Sequence, residues 1–274
     1  MWTLEQPWAP RRNRVLAETP FTLIATLGAS WLTVAWLVSI GWLPSGALWI
    51  AALTATHGGL LAVALAWGIA DGGVRLPPRA ALVPIVLIGA GATAATLDER
   101  AAIALMAAPA WLAILAYRGQ LVGLGLGSGI PLRPLVVGGA IGALLGGHLL
   151  FSASQTLGYP LRGGGWPPLL VLWAYDVGAR VISAECFFRG ALFNRLQRRW
   201  SFGAAAALAT ALAVARSLVD PLMPGQVEAM VGALFYLTIL GAANCWLLWW
   251  SGSLVPGLLA SALFFFAYRA LAIG

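Results

Sequence analysis

The chain has no lysine, and its only cysteines are Cys186 and Cys245. Both sit in or at the edge of apolar stretches, with no Cys/His cluster at metal-ligand spacing, so neither a zinc site nor a disulfide framework is supported and no metal is expected. Charge is equally scarce. Charged residues make up 9% of the chain against 61% hydrophobic residues, and mean hydropathy is +0.87, which excludes an ordinary soluble domain. The basic excess, a formal net charge of +7 carried entirely by arginine, shows no stripe with interleaved aromatics, so nucleic-acid binding is not expected. The glycine-rich run Gly123–Gly129 lacks the Lys-Ser/Thr ending and the preceding strand pattern of a nucleotide loop. It reads as a flexible connector or a re-entrant turn.

What is present is a series of long apolar runs. A spanning helix needs about 20 mostly apolar residues. Runs of that kind fall at roughly 20–43, 47–70, 80–97, 101–117, 134–157, 167–187, 203–219, 229–250 and 253–272. The expected fold is therefore all-α, a polytopic membrane bundle of about nine transmembrane helices. Eight is the alternative, because the third and fourth runs are short and joined only by Asp98-Glu99-Arg100. The first run is too long for a signal-peptide core and reads as a retained helix. Three parts follow: a segment 1–19, four helices over 20–117, and a core over 118–274. Arginines crowd alternate breaks (Arg11, Arg12 and Arg14; Arg75 and Arg79; Arg118 and Arg133; Arg195, Arg198 and Arg199), while Arg100, Arg162 and Arg269 share the opposite breaks with acids. By the positive-inside rule the N-terminus is cytoplasmic and the protein a multi-pass resident of the inner membrane. Tryptophans near run ends, among them Trp42, Trp200, Trp249 and Trp250, read as head-group anchors. Small-residue runs such as Gly138-Gly139-Ala140 and 142–147 allow close helix contact.

Ionisable groups inside a span cost about 2.5–3.5 kcal/mol each on insertion scales, so each asks for a reason. The densest group lies in the sixth run and its exit. Asp176 and Arg180 are four apart, and so are Glu185 and Arg189, each pair sharing a helix face with the acid leading. Arg216 stands in the seventh run and should seek Glu185 or Asp176 as its carboxylate. His57 and His148 sit in glycine-rich apolar runs. They are candidate ligands for a haem or chlorophyll-type pigment, or neutral packing histidines; the base expectation is no cofactor.

The segment Ala184-Glu185-Cys186-Phe187-Phe188-Arg189-Gly190-Ala191-Leu192 resembles the first signature of the CPBP family, the CAAX prenyl endopeptidase and bacteriocin-processing (Abi) membrane proteins, which reads E-E-x-x-x-R among aromatics and glycine. The stretch 252–260 is similar to the family's last signature helix, and Leu124-Gly125-Leu126 with Arg133 matches its lead-in, so the likeness covers roughly 120–272. The resemblance implies an intramembrane peptidase whose paired glutamates and two later histidines activate water, with an asparagine supporting the oxyanion. At those positions this chain carries Ala184 for the first glutamate, Arg216 for one histidine, Ser261 for the other and Phe265 for the asparagine, leaving Glu185 and Arg189. The expectation is a pseudoenzyme: a CAAX-protease-like scaffold or accessory subunit, packed against another integral membrane protein or within a larger complex. An active endopeptidase using Glu185 with a partner such as Ser261 is the alternative. A transporter or pigment-binding subunit is a further one.

Overall fold

A computed structural model describes residues 20–127, 129, 132–163, 165–218, 220 and 227–272. The segment 1–19, with its arginines and Trp2 and Trp8, lies outside them. The described residues form helical rods and no strands. We number them α1 (Phe21–Ser39), α2 (Ser45–Ala70), α3 (Pro78–Leu97), α4 (Glu99–Tyr117), α5 (Leu132–Thr156), α6 (166–197), α7 (Phe202–Leu218), α8 (Val227–Ser251) and α9 (Val255–Ala270). Six of them, α1 to α5 and α8, are long and apolar enough to cross a bilayer; α7 and α9 are shorter apolar helices. The third and fourth runs are two full antiparallel helices. Asp98 caps the turn between them, its carboxylate accepting from the Arg100 N–H at 2.9 Å.

The sixth rod departs from the sequence expectation. It does not end near 187 but continues to 197, so Glu185 and Arg189 are buried within a helix rather than placed at its exit. The extension lies inside the bundle, where Arg195 pairs closely with Asp71 at 2.9 Å, a contact invisible to a hydropathy window. Phe193, Leu196, Cys186 and Ala191 of α6 pack with Leu61 and Leu65 of α2, Ala209 of α7 and Leu254, forming the main core.

Among the described residues, the breaks that hold Arg75, Arg118 and Arg195 meet at one end of the bundle. Gly123 N–H donates to the Gly73 carbonyl at 2.7 Å, Arg75 N–H to Gln120 at 2.9 Å, and Leu254 N–H to Gly125 at 2.9 Å. Arg195 and Arg198 both close on Asp71, at 2.9 and 3.0 Å. The described part of the glycine run is therefore a built turn, with Leu121, Leu124 and Leu126 buried and Gly125 at φ 77°, a conformation glycine adopts without a Cβ clash. At the opposite end, Arg162 N–H donates to the Ala270 carbonyl at 2.7 Å.

The small-residue runs find their partner in α9. A Cβ added to Gly138 would collide with the Pro256 backbone, one on Gly142 with the Ala260 carbonyl, and one on Gly146 would lie 2.8 Å from the Ala267 methyl. Between lipid-embedded helices there is no water to expel, so association rests on such close van der Waals contact, which Cβ atoms on this face would hold apart. Trp42 and Trp200, at rod ends, are exposed as anchoring requires.

Candidate functional site

Two of the helices, α2 and α6, carry three π-helical turns between them, with i→i+5 bonding, where their polar residues lie. One covers Thr54–Gly58 around His57; in α6 one covers Asp176–Val181 and another Glu185–Phe193. Such turns interrupt α-helical bonding at some cost and recur at functional sites. Both acid–arginine pairs of α6 therefore sit in widened turns. Each is loose: Arg180 stands 3.9 Å from Asp176, and Arg189 3.7 Å from Glu185. The stronger partners come from elsewhere.

Asp176 is fully buried and is gripped by Arg269 of α9, Nε at 2.5 Å from Oδ2 and NH2 at 2.9 Å from Oδ1. That bidentate fit offsets the desolvation of both charges. Arg180 leans toward Asp220 at 3.5 Å and lies over the Phe265 ring at 4.5 Å, a cation–π placement. Arg216 takes Asp220 at 3.1 Å, not Glu185 or Asp176. A carboxylate four residues ahead on its own chain was within easier reach than one on another helix.

His57 joins this cluster from α2. Arg216 NH2 lies 2.8 Å from its Nε2, and its Nδ1 lies 2.8 Å from Ser183 Oγ. Arg216 NH2 also lies 3.1 Å from Nδ1, and the Ser183 hydroxyl donates to the Arg180 carbonyl at 3.2 Å. Both ring nitrogens of His57 thus have polar neighbours inside the bundle. Chain order had set His57 apart from the glutamate motif; space brings it to Arg216. His148 lies apart from the cluster, on an exposed part of α5, with its Nδ1 2.6 Å from the Tyr236 hydroxyl.

Glu185 is held differently. Its Oε1 accepts from Asn244 Nδ2 at 2.9 Å and from Ser261 Oγ at 3.0 Å, and Asn244 also donates to Ser261 Oγ at 2.8 Å. Its Oε2 is buried with no hydrogen-bond partner among the described residues. Beside it is a cavity of about 40 Å³ lined by Arg180, Glu185, Arg189, Arg216, Ser261 and Phe265, with Ala184 on its wall. That is room for a few waters or for a polar group of similar size. No group of three His, Cys, Asp or Glu side chains among the described residues is arranged to hold a metal ion.

The structure thus brings together Asp176, Arg180, Arg216 and His57, and beside them Glu185, Arg189 and Ser261. Sequence reasoning missed Asn244, Ser183, and the roles of Asp220 and Arg269. Asn244 carried a legible signal, a lone amide within an apolar span. Asp220 and Arg269 read as break residues, because the short α7 and α9 place them at the bundle's edge.

Residues 166–267, from the start of α6 into α9, match the family model described as type II CAAX prenyl endopeptidase Rce1-like. The match supports the CPBP/CAAX-protease family for this multi-pass helical membrane chain. No curated protein matches the chain, and no solved structure does.

Proposed function

We propose that this CAAX-protease-like membrane protein is catalytically degenerate and serves as a scaffold or accessory subunit for another integral membrane protein. The observation that carries the reading is Arg216. It stands where the family resemblance puts a histidine, cannot accept a proton, and is committed to Asp220 and His57. Phe265, at the position the resemblance gives to an asparagine, offers no donor to an oxyanion and instead lies under Arg180. The lateral partner has a natural landing face in α1, an apolar helix with no buried residue and with Trp31 and Trp36 exposed. On this reading the arginine-bearing end faces the cytoplasm of the inner membrane.

One observation favours residual hydrolysis as a second reading: Glu185 Oε2 is uncommitted beside a cavity that admits water. A single experiment separates the two. Purified protein in proteoliposomes is given prenylated peptides ending in a CAAX motif, alongside Glu185→Gln, while material purified in mild detergent is analysed for co-eluting membrane proteins. The scaffold reading expects no cleavage above blank vesicles from either form, and a stoichiometric membrane partner. Cleavage that disappears in Glu185→Gln would establish the peptidase instead.

A further inference from the structure

The charges at the centre do not balance. Arg180, Arg189, Arg216 and Arg269 face Asp176, Asp220 and Glu185, four guanidiniums against three carboxylates. Within that set, Nε of Arg189 and Nε of Arg216 are buried and have no hydrogen-bond partner among the described residues, and both side chains line the 40 Å³ cavity. Water can complete hydrogen bonds there, but it leaves the surplus positive charge uncompensated, which is costly away from bulk solvent.

Next to this cavity runs an open apolar groove of about 630 Å³ between α7 and α8. Its walls are small residues, among them Gly203, Ala207, Ala211 and Ala215 on α7 and Ala242 on α8, and its size falls in the range of ligand sites. Val214 lines both spaces. At their boundary, a Cβ on Gly241 of the cavity would stand 2.5 Å from Arg189 NH2 and 2.8 Å from Cγ2 of Thr210, a groove residue. The absence of a side chain at Gly241 thus lets the Arg189 guanidinium and Thr210 pack against the same stretch of α8 backbone.

From this we infer that the centre takes the carboxylate head of a single-chain anionic lipid of the bilayer, with the lipid's chain lying along the α7–α8 groove. The head supplies the missing negative charge and two acceptor oxygens for Arg189 and Arg216. The groove offers an apolar chain a wall of small side chains and about 630 Å³ of space. Glu185 Oε2, an acceptor at the same cavity, is served by water bound with the head. The inference goes beyond the scaffold reading and needs only the charge of the centre and the groove beside it.

The test uses the full chain in nanodiscs of zwitterionic lipid, titrated with oleate and with methyl oleate, binding being read by native mass spectrometry. One saturable oleate site per chain is expected, with methyl oleate weaker by roughly tenfold or more. Ala211→Trp fills the groove without touching the polar network, and should weaken oleate by a similar factor while helical content and elution volume stay unchanged. Arg216→Met should remove the preference for oleate over its ester. Equal binding of acid and ester, unchanged oleate binding in Ala211→Trp, or a polypeptide seated in the groove would each overturn the inference. Glu185-dependent peptide cleavage alongside the expected oleate binding would sink the scaffold reading and leave this one standing.

Discussion

Asp176 and Glu185 lie on one helix, each in a π-helical turn and each followed four residues later by arginine, yet the protein treats them in opposite ways. Asp176 has both oxygens clamped by a guanidinium from α9, whereas Glu185 leans on two neutral donors and keeps one oxygen uncommitted beside a cavity. The shared i, i+4 pattern decides neither environment. In both turns the local arginine is the distant partner, and groups supplied by α8 and α9 set the character of each acid. One end of the network is a closed ionic lock, and the other retains unused polar capacity.

This contrast can be broken by substitution. Arg269→Met leaves the Asp176 carboxylate with only the distant Arg180, and should cost about 3–5 kcal/mol, enough to abolish a folded product or collapse its resistance to a denaturing-detergent titration. If that variant proves no weaker than changes at Glu185, the lock is not the stronger end. Next in size, Asn244→Leu withdraws the amide donor from Glu185 and Ser261 together; a loss of about 1–3 kcal/mol is expected in the same titration. Smallest is Ser261→Ala, at about 0.5–1.5 kcal/mol, because Asn244 still serves Glu185 Oε1. A Ser261→Ala effect equal to that of Arg269→Met would mean the hydroxyl carries far more than one hydrogen bond.

Much of the fold was legible because lipid imposes a simple demand, a long apolar helix for every crossing. Most of the apolar runs and the small-residue face of α5 are readable from the sequence alone. The site was legible only in part. Glu185, Arg189, Asp176, Arg180 and Arg216 announce themselves as charges in apolar surroundings, but sequence spacing names only the neighbour one turn away. Asp220 as the partner of Arg216, Arg269 as that of Asp176, and His57 from the second helix depend on how rods are laid beside one another. The continuation of α6 past 187 was hidden for the same reason, since a buried charge looks like a helix end until its partner is known.

The Asp176–Arg269 clamp also has a consequence in time. Its two halves are 93 residues apart in the chain. At a synthesis rate of roughly 5–20 residues per second, Asp176 leaves the ribosome some 5–20 s before its partner. During that interval the nascent sixth helix carries an acid whose nearest base is Arg180, at 3.9 Å in the finished fold, and a poorly paired charge in an apolar span is costly. Arrival of α9 ends that exposure, so the middle of the bundle settles only once this later helix has been made.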